Sequence, residues 1–162
     1  MALSSSRSIN AAPAAVFEAL TSKANAEAVA GRVNGSLEAH TTTEENGGLR
    51  TSSTFVLPSD RLPDVAKKLM KDGVTLILEE AWSAPAADGS RTSELVANVK
   101  SAPIKVNGGQ QLTAAGEGTT LSLTGEVSSS IPFLGGKISK AAEPMMDRLL
   151  EVRCQIVEAQ LG

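Results

Sequence analysis

The feature that most constrains this chain is a change of period near its end. From residue 36 to residue 131 apolar and polar residues alternate largely by twos, interrupted once, and after Gly135-Gly136 the spacing becomes helical. Ile138, Ala141, Ala142, Met145, Leu149, Val152 and Ile156 follow at steps of three or four with one adjacent pair, the stripe of a helix lying across an apolar surface. Alternating runs bury one face and wet the other, as strands of an antiparallel sheet do. Such a sheet needs a cover, and the C-terminal segment is the only long amphipathic one left to supply it. Pro132 ends strand pairing and Gly135-Gly136 permits a sharp reversal, so the helix is expected to fold back over the concave side. Pro144 lies inside it, cannot donate to the Lys140 carbonyl and crowds it, which predicts a kink or break at a cost of about 3 kcal/mol.

The remaining elements follow from the same two periods. Leu3, Ser5, Arg7 and Ile9 alternate as a short opening strand. Pro13 suits a helix N1 position, with Val16, Phe17 and Leu20 as the apolar side, and a second short helix over KANAEAVA stops near Gly31. SLEAHTTTE sets Leu37, Ala39, Thr41 and Thr43 on one face and Glu38, His40 and Thr42 on the other. ENGG, Glu45 to Gly48, is a hairpin turn, since Asn and Gly accept the positive φ that a primed turn requires. LRTSSTFVL returns with Leu49, Thr51, Ser53, Phe55 and Leu57 aligned. A short helix with a basic outer side is expected over 62–70, Leu62, Val65 and Leu69 facing inward. Four strands complete the sheet: VTLILEEAWSA, TSELVANVK, IKVNGGQQLTA and TTLSLTGEVSSSI. The predicted architecture is α+β, one domain over 1–162, with a curved seven-stranded antiparallel sheet around a long C-terminal helix and two short helices after the first strand.

Composition narrows the function classes. The net charge of −3 argues against a nucleic-acid surface, which shows a basic stripe. One Cys excludes an internal disulfide, and no Cys/His spacing suggests a metal, so no cofactor is expected. No apolar run is long enough for stable membrane insertion, and the N-terminus lacks the continuous apolar stretch of a signal peptide. A cytoplasmic location is the expectation. Aromatic residues are 2% of the chain against 41% hydrophobic, so the interior is built of Ala, Val, Leu and Ile and is either tightly packed or partly hollow.

DRLP at Asp60 to Pro63, EEAW at Glu79 to Trp82, LTGEV at Leu123 to Val127 and IPFLGGKI at Ile131 to Ile138 resemble one bacterial, chiefly actinobacterial, family of unknown function within the START-like superfamily. That superfamily also holds birch-pollen-allergen-like and polyketide cyclase-like proteins. The resemblance extends over essentially the whole chain. It implies a helix-grip fold, often built around a cavity for lipids, polyketides or other hydrophobic molecules. It transfers no catalytic residue.

The chemistry-bearing residues are few. His40, the sole His, is expected on the outer face and exposed. Cys154 falls one residue off the deepest helical stripe with no base near it in sequence, and reads as a structural thiol. Glu79 and Glu80 are adjacent in a strand and so project to opposite faces. Glu80 shares its face with Leu76, Leu78 and Trp82; if that face is concave, it is a carboxylate in apolar surroundings able to bond a ligand, or else it pairs with Arg7 or another basic residue. The expected function is non-catalytic binding of a small hydrophobic ligand between sheet and helix. The expected lining is Leu49, Phe55, Leu57, Leu78, Glu80, Trp82, Leu95, Val106, Leu112, Leu123, Val127, Met145 and Leu149. The alternatives are a cyclase- or aromatase-like enzyme using Glu80, and a filled-core interaction module with no cavity. Ligand identity, oligomeric state and protein partners are open at this level.

Overall fold

Seven strands form one antiparallel sheet in the order β1-β7-β6-β5-β4-β3-β2, so that strands adjacent in sequence are adjacent in space except where β1 closes onto β7. They are β1 (Ala2–Ile9), β2 (Ser36–Glu45), β3 (Gly48–Leu57), β4 (Val74–Trp82), β5 (Arg91–Lys100), β6 (Ile104–Ala115) and β7 (Gly118–Ser129). The helices are α1 (Pro13–Leu20), α2 (Lys23–Arg32), α3 (Asp64–Lys67) and α4 (Gly135–Leu161), with a 3-10 turn at Ser59–Arg61. The computed structural model describes residues 2–61, 64–68, 70–100, 102–129 and 135–162. The helix-grip architecture expected from the sequence is the one observed: a curved sheet with α4 across it.

Local chemistry explains the short elements. Pro13 occupies the first turn of α1, where no N–H is missed. The Ser22 hydroxyl caps α2 by accepting from the Asn25 N–H at 3.1 Å. Asn46 and Gly47 both take positive φ at the β2–β3 turn, as ENGG predicts. The described part of the inserted helix is only α3; Leu62, Pro63 and Leu69 lie outside the described residues.

Three expectations are corrected. β2 does not alternate cleanly, because its pairing with β3 shifts register between Leu37 and Ala39. A β-bulge there inserts Glu38, so Leu37 faces Phe55 while His40 faces Ser53, both on the buried side. His40 therefore points inward, opposite to the outer position that strict alternation gives it. At the other end, residues 131–134 of the expected hinge lie outside the described residues, and Gly135 and Gly136 open the helix itself.

The third correction concerns only the break that Pro144 was expected to allow: α4 runs on through this residue, which is exposed. Met146, Leu150, Val152, Arg153, Cys154, Ile156 and Val157 are all buried along the helix. Val152 and Ile156 of the line the apolar pattern marks are among them, and Leu149 is half-buried. The helix packs against β1 and β7 on one side and α1 and α2 on the other, so it is enclosed over a wide arc. The core it shares with the sheet includes Leu78, Trp82, Leu95, Val106, Leu112, Leu121, Leu123 and Val127.

Candidate functional site

The face of β4 that carries Glu80 is the concave one: Leu78, Glu80 and Trp82 are all buried there. Across the sheet the same face carries Thr51 and Ser53 from β3, Ser93 from β5 and Gln110 from β6, each buried. A row of polar side chains thus crosses an otherwise aliphatic interior, and α4 lowers Arg153 onto it.

Glu80 is 5% exposed, and its partners account for that burial. Arg153 donates from Nη2 to Oε1 at 3.0 Å and to Oε2 at 3.3 Å, and from Nη1 to Oε2 at 3.3 Å. The Gln110 amide also donates to Oε2, and the Thr51 hydroxyl to Oε1 at 3.4 Å. Arg153 Nη1 reaches the Gln110 carbonyl oxygen at 3.3 Å. A buried carboxylate with a guanidinium fork and two further donors is a paired charge. A base waiting in an apolar pocket would look different. The ion pair comes from Arg153; Arg7 instead pairs with Asp147 of α4 at 3.3 Å, tying β1 to the helix.

His40 stands beside this cluster. Its Nδ1 lies 2.8 Å from the Ser53 hydroxyl and its Nε2 lies 3.2 Å from the Thr21 carbonyl oxygen. The ring thereby joins β2 and β3 to the junction of α1 and α2. Leu20, Thr21, Asn25, Val29, His40, Thr51, Ser53, Phe55, Leu78, Glu80, Leu149 and Arg153 are among the residues around an internal cavity of about 20 Å³, room for roughly one water.

The expected lining is thus only partly brought together. Phe55, Leu78, Glu80 and Leu149 meet at this cavity. Leu49 and Trp82 border an open groove of about 460 Å³ where the β2–β3 turn meets the ends of β4 and β5. Leu95, Val106, Leu112, Leu123 and Val127 are buried members of the core, and Leu57 packs half-buried against it. The Met145 side chain lies outside the described residues. Trp82 meets Phe17 edge-on at 5.6 Å between ring centroids. Its indole N–H is the one buried side-chain polar atom among the described residues without a hydrogen-bond partner. Cys154 is buried as expected, and burial pushes its thiol up to about 11.

Gln110 and Arg153 escaped the sequence reading, whereas Thr51 and Ser53 were aligned with the apolar face of their strand without being named as site residues. Each is a polar residue at a position whose neighbours announce an inward face, Gln110 between Gly108 and Leu112 and Arg153 between Val152 and Cys154. That interruption of an apolar row was the available signal.

A model of the family described as "Protein of unknown function (DUF2505)" matches residues 4–161. The chain belongs to that family. An uncharacterised protein of Mycobacterium tuberculosis is 23% identical over 110 residues, 67% of this chain and 63% of that protein, so the match spans less than two thirds of the relative's length. A protein of Thermus thermophilus, TTHA0849, superposes with a TM-score of 0.65 at 20% identity over the whole of both chains. The Zhui aromatase/cyclase of Streptomyces sp. R1128 gives 0.61 at 15% identity, covering 99% of this chain and 92% of that one. A STAR-related lipid transfer protein fragment of Xanthomonas axonopodis gives 0.57 at 13%, covering 98% and 84%. At these identities the likeness establishes a START-like fold. Among the described residues, no helix is long and apolar enough to cross a membrane.

Proposed function

We infer that the protein binds a small hydrophobic molecule between the concave face of the sheet and α4, and that it does so without catalysis. The observation that carries this reading is a row of large apolar side chains on the concave side, Leu57, Leu76, Val99 and Leu149. They remain only partly buried although the same strands bury Phe55, Leu78 and Leu95 fully. Apolar surface left partly open on an inward face is surface a ligand can cover. Solved structures of the same fold include a lipid transfer protein and an aromatase/cyclase, which supports a hydrophobic ligand in general terms. Glu80 is saturated by Arg153, Gln110 and Thr51, which removes the support for a cyclase using it as a base.

A second reading, the filled-core interaction module, is favoured by one observation: the internal cavity of about 20 Å³ admits no ligand body. Native mass spectrometry of freshly purified protein, with extraction and titration of the neutral dye Nile red, separates the two. Ligand binding predicts a releasable small molecule or saturable dye uptake that Leu149→Trp weakens at least several-fold. Protein that carries nothing and takes up no dye would sink the ligand-binding reading and leave the filled core.

A further inference from the structure

The polar cluster at the floor of the grip has a hydrogen-bonding balance that names the chemistry of a ligand's polar end, provided that the ligand-binding reading above holds. Charge comes first. Glu80 and Arg153 neutralise one another at 3.0 Å, and no further carboxylate, lysine or arginine lines the cavity among the described residues. Next come the donors. Both terminal nitrogens of Arg153 donate to Glu80 or to the Gln110 carbonyl oxygen, and one N–H of the Gln110 amide is directed at Glu80. Thr51 gives its hydroxyl proton to Glu80.

His40 settles the last proton. The Thr21 carbonyl can only accept, so Nε2 carries the hydrogen that points at it. In the neutral ring Nδ1 is then an acceptor, and the hydroxyl that donates to it is that of Ser53. Thr51 and Ser53 therefore have oxygen lone pairs left and no hydrogen. They stand two apart on β3 and so share a face. The result is a pair of neighbouring acceptors in buried, charge-neutral surroundings.

We propose that Thr51 and Ser53 receive the hydrogen-bond donor of an uncharged amphiphile: a hydroxyl group, alcoholic or phenolic, on an apolar body lying along Leu57, Leu76 and Leu149. A carboxylate end has no hydrogen to give and would be brought close to Glu80. An ammonium end could donate, but it would introduce a buried positive charge with no partner. The cavity volume of about 20 Å³ accommodates a single hydroxyl in place of one water and excludes a bulky head such as a phosphate or a sugar.

The test is displacement of Nile red by three probes of equal chain length, 1-decanol, decanoate and decylamine, at a pH where the last two are ionised. Decanol is expected to displace the dye at a concentration lower by about tenfold or more, the scale of one buried hydrogen bond plus an avoided unpaired charge. Ser53→Ala and Thr51→Val, each checked for folding by circular dichroism, are expected to shrink that preference to about threefold or less. Decanoate or decylamine competing as well as decanol would overturn the inference and leave ligand binding intact. A preference that survives in either folded variant would remove these hydroxyls as its source. If the protein neither binds Nile red nor releases a small molecule on denaturation, ligand binding fails and this proposal fails with it.

Discussion

A carboxylate and a guanidinium that are 5% and 8% exposed hold their positions only because each answers the other. Removing one partner would leave a charge with no water and no counter-ion. Arg153→Met is therefore expected to destabilise the protein by about 3–5 kcal/mol, whereas Glu80→Met combined with Arg153→Met recovers most of that loss. Urea unfolding of the two single variants and the pair checks this, and a double variant no better than the singles would refute it. Glu80 was visible as a point of interest from its place between Leu78 and Trp82. Its partner was not: Arg153 lies 73 residues away, and nothing in local spacing connects a strand position to a helix position. His40 was misplaced for a different reason. A single extra residue, Glu38, reverses the parity of everything that follows it relative to Leu37, and a bulge leaves no mark in a Thr-rich strand whose two faces look alike.

At the scale of elements, helix and strand positions were readable because each carries its own period and its own punctuation. The ENGG turn, the Pro13 start of α1 and the four strands from Val74 to Ser129 all appear where the pattern puts them. α4 is the exception that teaches most. Its apolar stripe marked Val152 and Ile156, which are buried, yet a second line through Met146, Leu150, Arg153 and Val157 is buried as well. A helix enclosed by a sheet on one side and α1 and α2 on the other has no single buried stripe. The arginine in that line also hides it from any count of apolar residues. Pro144 sits exposed within the unbroken helix. Because proline removes a helical hydrogen bond there, Pro144→Ala is expected to raise stability by about 1–3 kcal/mol, read as a higher Tm or urea midpoint. A lower midpoint would mean that the proline's own geometry is needed for packing against the sheet.

Across the whole molecule, folding places the sole cysteine inside the core and so couples global stability to alkaline pH. Burial raises the Cys154 thiol from its ordinary value near 9.0 to about 11. A raised value means the folded state holds this proton more tightly than the unfolded chain. That contribution is complete below pH 9 and is lost as pH rises through about 11. Stability is expected to fall over this window, and Cys154→Ala to flatten the fall; equal slopes for the two proteins would exclude the thiol as its cause. No Tyr is present to titrate in the same range. Architecture at this scale was legible from the order of elements together with the resemblance, because an antiparallel sheet of alternating strands and one long amphipathic helix have few ways to cover each other's apolar faces. The amino-acid sequence thus determined the elements and their order through its periods, and the grip once the family resemblance was added. Only the tertiary structure decided which face of β4 is concave, that Glu80 is answered by Arg153 and Gln110, and that His40 turns inward. Periodicity reports whether a residue lies on a buried or a wet face, whereas partnership between distant polar groups arises only when separate elements are brought together.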